Sequence, residues 1–287
     1  MSDRPRNTGS RGDRPGQSEL SPPVVPAPER AREAAPSRPP VPAPETRPER
    51  VPSATWSPWE AVPVFLISVV VASVVSLPFL SHHPGGTPQQ LGAAIVAELS
   101  LGGTVGAWLY VRHRPFVRAL GVPEHPLTDV AVGFASGLGL VALLVYGFGW
   151  ILARLLEAIS SRHHVGVPRQ LPGGIHGGSV WLATILVVVA APVCEELFFR
   201  GLVFKGCRRK LGFAASAAIS GVIFGLAHLQ EALPGPWQGA VLLVGVLVFV
   251  GVGLAAIYER RGTLAAPIAA HAAFNLIGLL VTLRIIT

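Results

Sequence analysis

Lysine is nearly missing from this chain: Lys205 and Lys210 stand against 21 arginines. With its wealth of Ala, Gly, Pro and Val, that usage suggests a G+C-rich bacterial genome and says nothing about activity. Cysteine is as scarce. Cys194 and Cys207 form neither a CxxC pair nor a disulfide framework, which excludes a zinc-finger or thiol-redox reading. Charged residues make up only 14% of the sequence. No internal repeat is visible, whereas inverted-repeat transporters tend to show corresponding broken helices in two halves. The N-terminus lacks an apolar core, so a signal peptide is not expected.

What is abundant is apolar sequence. Half of the 287 residues are hydrophobic and the mean hydropathy is +0.51, which describes a helical protein that crosses a membrane several times. Residues 1–55 form a separate block. Fourteen of the 27 prolines fall within 1–58, and nine arginines face seven acids in 1–55. Such a segment buries too little apolar surface to offset its ordering entropy and reads as a disordered, partly polyproline tail, simplest as a cytosolic tether. Seven spans follow, near 61–80, 91–111, 130–152, 179–196, 213–229, 239–258 and 264–283. Trp56 and Trp59 are expected at interfacial depth. The connection 153–178 has room for an interfacial, re-entrant or eighth segment. The net charge of +7 lies in the tail and in the basic stretches 112–118, 205–210 and 260–261. Counting spans from a cytosolic N-terminus puts all three stretches on the cytosolic side, so positive-inside topology accounts for the charge and no nucleic-acid partner is expected. The fold class is an all-α, polytopic transmembrane bundle, with regions 1–55, 56–178 and 179–287.

Charges within spans are costly and mark partners or cavities. A charge-free run from Ser179 to Cys194 ends in Glu195-Glu196, with Arg200 four residues beyond Glu196. The i,i+4 spacing stacks Glu196 and Arg200 on one helix face as an ion pair, while Glu195 is rotated by ~100° and left for a cavity. An unpaired glutamate in a dry site suits general acid–base work. The alternative is a buried charge cluster that only fixes packing. Phe224 and His228 are also i,i+4, as are His271 and Asn275. A His and an Asn on one face can bind a metal, orient a water or offer an amide donor to an oxyanion. Of nine histidines, only His228 and His271 fall inside expected spans, which raises both above ordinary core histidines.

The ordered set Glu-Glu-x-x-x-Arg, Phe-x-x-x-His and His-x-x-x-Asn, over about 179–283, resembles the CPBP family. It comprises the CAAX prenyl endopeptidases and the bacterial abortive-infection and bacteriocin-immunity-like intramembrane proteases. The resemblance implies an intramembrane endopeptidase of the bacterial cytoplasmic membrane, acting on a membrane-embedded or membrane-anchored protein or peptide within the bilayer. It makes Glu195 the water-activating catalytic group, with His228 and His271 completing the site and Asn275 stabilising the oxyanion. Glu196, Arg200 and Phe224 would support them. Relatives are commonly classed as metalloproteases, and Glu195, His228 and His271 match the donor set of a catalytic zinc or other divalent metal. They equally suit metal-free hydrolysis. The rival readings are a non-catalytic scaffold or immunity-type protein that retains the motifs, and an ion-coupled transporter.

Ideal spans leave one tension. They place Glu195 nearer the cytosolic face and His228 late in a span that starts there, a mismatch of about six residues, or ~9 Å. Glu98 interrupts the second span; it could pair with Arg200, accept a backbone or hydroxyl bond, or line the cavity. Cys194 has no histidine placed to activate it.

Overall fold

The computed structural model describes residues 54–80, 87–160, 164–168, 170–172, 174–233 and 235–285. The tail expected at 1–55 lies, apart from its last two residues, outside the described residues. Among the described residues the chain is all helical, with no strand, and seven helices are long and apolar enough to cross a membrane. These are α1 (Pro58–Phe79), α2 (Thr87–Arg112), α3 (Pro126–Ser160), α4 (Gly178–Arg208), α5 (Phe213–Ala232), α6 (Trp237–Arg261) and α7 (Ala265–Thr282). Their number and order are as expected. Two exceed the expected bounds by the most: α3 absorbs the start of the 153–178 connection, and α4 runs for 31 residues instead of stopping at the glutamate pair. The pair does not end the span because its charge is met inside the bundle, and the next residues, Leu197–Phe204, are apolar apart from Arg200 and almost all buried.

Burial ranks the helices. In α4, 56% of the most apolar window is buried, against 17% in α1 and 11% in α2. The helix with the glutamates is therefore the centre of the bundle. α3 and α7 meet backbone to backbone, since a Cβ at Gly133 or Gly137 would run into the carbonyl of Ala266 or Ala270. Small residues are what permit so close an approach between membrane helices. Arginines gather at one end. Arg208 pairs with Glu259 at 2.7 Å, Arg261 with Asp129 at 2.5 Å, and Arg112 lies 4.0 Å from Glu60. Trp59 is 79% exposed, as an interfacial anchor should be, but Trp56 departs from that expectation and is fully buried.

α4 is not a uniform α-helix. Ile185–Ala190 and Leu197–Phe204 are π-helical, with i→i+5 bonds such as Ala191 N–H to the Leu186 carbonyl and Lys205 N–H to the Arg200 carbonyl. The six-residue α segment between them, Ala191–Glu196, carries both glutamates. Carbonyls displaced from regular pairing in a hydrocarbon phase need donors from within the protein. Three side chains from other elements supply them. Asn275 Nδ2 donates to Val187 (2.9 Å), Ser220 Oγ to Phe199 (3.0 Å) and Trp56 Nε1 to Leu202 (3.1 Å). π-Bulges of this kind occur often at functional sites.

Candidate active site

The inner layer of the site is an ion pair with no access to water. Arg200 and Glu196 are both fully buried, and Arg200 Nη1 donates to Glu196 Oε1 at 2.7 Å, the i,i+4 pairing expected from the spacing. Arg200 Nη2 donates to the Gly251 carbonyl on α6 at 3.0 Å. The face of Phe224 lies 4.8 Å from the guanidinium carbon, a cation–π contact that matters more away from water. One arginine thus ties α4, α5 and α6 together.

The histidines are aimed by what their Nδ1 atoms touch. His271 Nδ1 donates to Glu196 Oε1 at 2.9 Å. His228 sits where α5 breaks, with φ −92° and ψ 2°, in the sparsely populated region that active-site residues often occupy. Its Nδ1 donates to the Phe224 carbonyl one turn earlier, at 2.8 Å. The Phe224 ring packs beside both imidazoles, with centroids 4.9 Å from His228 and 5.6 Å from His271. With each Nδ1–H turned outward, the Nε2 atoms face inward and converge on Glu195. Its Oε2 lies 4.0 Å from His228 Nε2 and 3.9 Å from His271 Nε2, and has no hydrogen-bond partner among the described residues. The separation of Glu195 and His228 that ideal spans imply is removed by the longer α4, which puts the glutamate in the middle of its span.

These distances are too long for direct hydrogen bonds. They match a water bonded at about 2.8 Å to two acceptors, the two bonds meeting at roughly a right angle. Imidazoles braced by a carboxylate and a carbonyl are also what a metal would use. A tetrahedral zinc, however, holds donors about 3.4 Å apart, roughly half an ångström closer than found here. Among the described residues, no three His, Cys, Asp or Glu side chains are spaced to hold a metal. The donor chemistry would suit zinc; the spacing suits water.

Of the other residues named from sequence, Asn275 shares its helix with His271, but its amide nitrogen is bonded to the Val187 carbonyl. Glu98 does not pair with Arg200, whose bonds go to Glu196 and Gly251. Its Oε2 is buried without a hydrogen-bond partner among the described residues, and the carboxylate is within electrostatic reach of Glu195, His228 and Glu231. Cys194 is buried where α2 crosses α4, and a Cβ on Gly102 would collide with its sulfur. Sequence reasoning missed Glu231, a second, half-buried carboxylate beside His228, bonded to Gln170. Its position three residues past His228, one turn along, was the available signal. It missed Gly251 and Ser220 as well, for which a backbone carbonyl and a lone hydroxyl leave no sequence mark.

Comparison with known proteins bears on the same segment. Residues 177–277 match the family model described as type II CAAX prenyl endopeptidase Rce1-like. No curated protein and no solved structure matches the chain. The matched stretch begins just before α4, ends within α7 and contains all three motifs. With its seven apolar helices the chain is an integral membrane protein, and its segment 177–277 carries a domain similar to the Rce1-like CAAX prenyl endopeptidases, a likeness that supports an intramembrane protease of the CPBP kind.

Proposed function

We propose that this protein is an endopeptidase in which Glu195 activates a water held between its carboxylate and the Nε2 atoms of His228 and His271. The observation that carries the reading is the convergence of both Nε2 atoms on Glu195 Oε2, at 4.0 and 3.9 Å, with each Nδ1–H committed elsewhere. Both imidazoles then offer lone pairs inward, and a water that donates one O–H to Glu195 and the other to either Nε2 keeps its own lone pair free to attack. Glu195 takes a proton from that water as its oxygen attacks the scissile carbonyl carbon. A tetrahedral oxyanion results. Its collapse breaks the C–N bond, and the proton held by Glu195 passes to the departing nitrogen. Glu196 and Arg200 stay paired throughout and hold His271 in its tautomer. Because the spacing is wide for zinc, no step is assigned to a metal. The substrate class is a peptide anchored in or beside the bilayer, and the arginine-rich end of the bundle faces the cytosol by the positive-inside rule.

The test compares peptide termini in membranes from cells producing wild-type protein or Glu195→Ala at equal levels. Termini found only with wild type are expected, and they identify substrates at the same time. Identical sets of termini would refute the reading and favour a scaffold that keeps the motifs.

A further inference from the structure

Asn275 lies one helical turn from His271, where an amide could serve the reaction directly, yet its Nδ2 donates to the Val187 carbonyl at 2.9 Å. That carbonyl needs an outside donor for a reason written in the chain. In the π register of Ile185–Ala190, Ala191 N–H bonds to the Leu186 carbonyl. The next donor in that register, five residues past Val187, would come from residue 192. Residue 192 is proline, which has no N–H. Val187 is therefore left over by the helix, and an unsatisfied carbonyl inside a membrane protein is costly. Asn275 fills the gap from α7. Three residues past Pro192 stands Glu195, and one turn before Asn275 stands His271. The bond thus pins the two helices that carry the reacting pair at the point where α4 is irregular.

Resting on the peptidase reading above, we propose that Asn275 is a positioning residue, paired with Pro192 through the Val187 carbonyl, which sets the rotation of Glu195 toward His271. The test measures Asn275→Ala in two backgrounds, wild type and Pro192→Ala, the latter restoring an N–H at residue 192. The reporter is cleavage of a quenched-fluorescent peptide ending in a farnesylated CAAX sequence, in proteoliposomes below the melting temperature of each variant. In the wild-type background Asn275→Ala is expected to lower kcat by about tenfold to a hundredfold with little change in KM, the scale of a small misplacement of reacting groups. In the Pro192→Ala background the same substitution should cost less than about threefold, and its effect on melting temperature should shrink in parallel. Accumulation of the Asn275→Ala chain only in the Pro192→Ala background would count as the same rescue. Equal losses in both backgrounds, or failure of Asn275→Ala to accumulate in either, would overturn the proposal, because an amide acting on the substrate cannot be replaced by an N–H at residue 192. If Pro192→Ala is itself inactive, the melting temperatures decide. If wild type and Glu195→Gln are equally inert toward the peptide, it is the peptidase reading that fails, and the melting temperatures still report on the bond.

Discussion

Replacing Arg200 by alanine is expected to unfold the centre of the bundle before it affects chemistry. The guanidinium is fully buried. Its removal strips Glu196 of its 2.7 Å partner and frees the Gly251 carbonyl, bonded at 3.0 Å. Breaking a buried pair from one side costs about 3–5 kcal/mol, because the remaining charge stays desolvated. His271 Nδ1 still donates to Glu196, which keeps the loss within that range. For a domain of this size the loss corresponds to a fall in melting temperature on the order of 10 °C. Arg200→Lys keeps the charge but presents a point donor that cannot serve both Glu196 and Gly251, so it should fall between wild type and Arg200→Ala. Removing both charges together, as Glu196→Gln with Arg200→Met, should cost less than Arg200→Ala alone. Thermal unfolding in detergent, followed by tryptophan fluorescence, measures all three. An unchanged melting temperature for Arg200→Ala, or a double variant worse than the single one, would refute the buried-pair reasoning.

The two histidines should separate in stability. His271→Ala removes a bond to the buried Glu196 and is expected to cost about 1–3 kcal/mol, whereas His228→Ala, at a helix break, should abolish cleavage and melt close to wild type; equal destabilisation would contradict their different partners. Cleavage by the purified protein should survive a strong chelator, and metal analysis should find no stoichiometric zinc. Loss of activity on chelation with recovery on adding zinc would mean that the three donors close in by about half an ångström around the ion.

Much of the site was legible because its signals are local. The i,i+4 spacing of Glu196 and Arg200 gave their ion pair, and Phe224 with His228 gave the ring contact. The presence of two histidines inside apolar runs marked both. The span count followed from length and hydropathy alone. What escaped depends on neighbours. The π-helical stretches of α4 leave the hydrophobic pattern unchanged, since they are fixed by which carbonyls Asn275, Ser220 and Trp56 reach. The end of the fourth span was misplaced because two adjacent glutamates look like a boundary until their partners are known. Trp56 reads as an interfacial anchor by composition, but its indole is fully buried against Leu202. Asn275 was placed one turn from His271 by its spacing, but its bond to the Val187 carbonyl left no mark in the sequence, since a carbonyl without a donor at Pro192 is visible only once the helical register is.

The close crossings of α2 and α3 bear on how far the protein can be divided. The family match begins at residue 177, so both helices fall outside the part recognisable by descent. Yet Gly102 of α2 lies against Cys194, the neighbour of Glu195, and Gly137 of α3 lies against Ala270, the neighbour of His271. Glu195 and His271 are thus each one residue from a wall supplied by the unmatched half. A fragment cut at the family boundary would keep every motif and lose both walls. Grafting the matched segment onto another set of helices would therefore have to recreate these two glycine contacts.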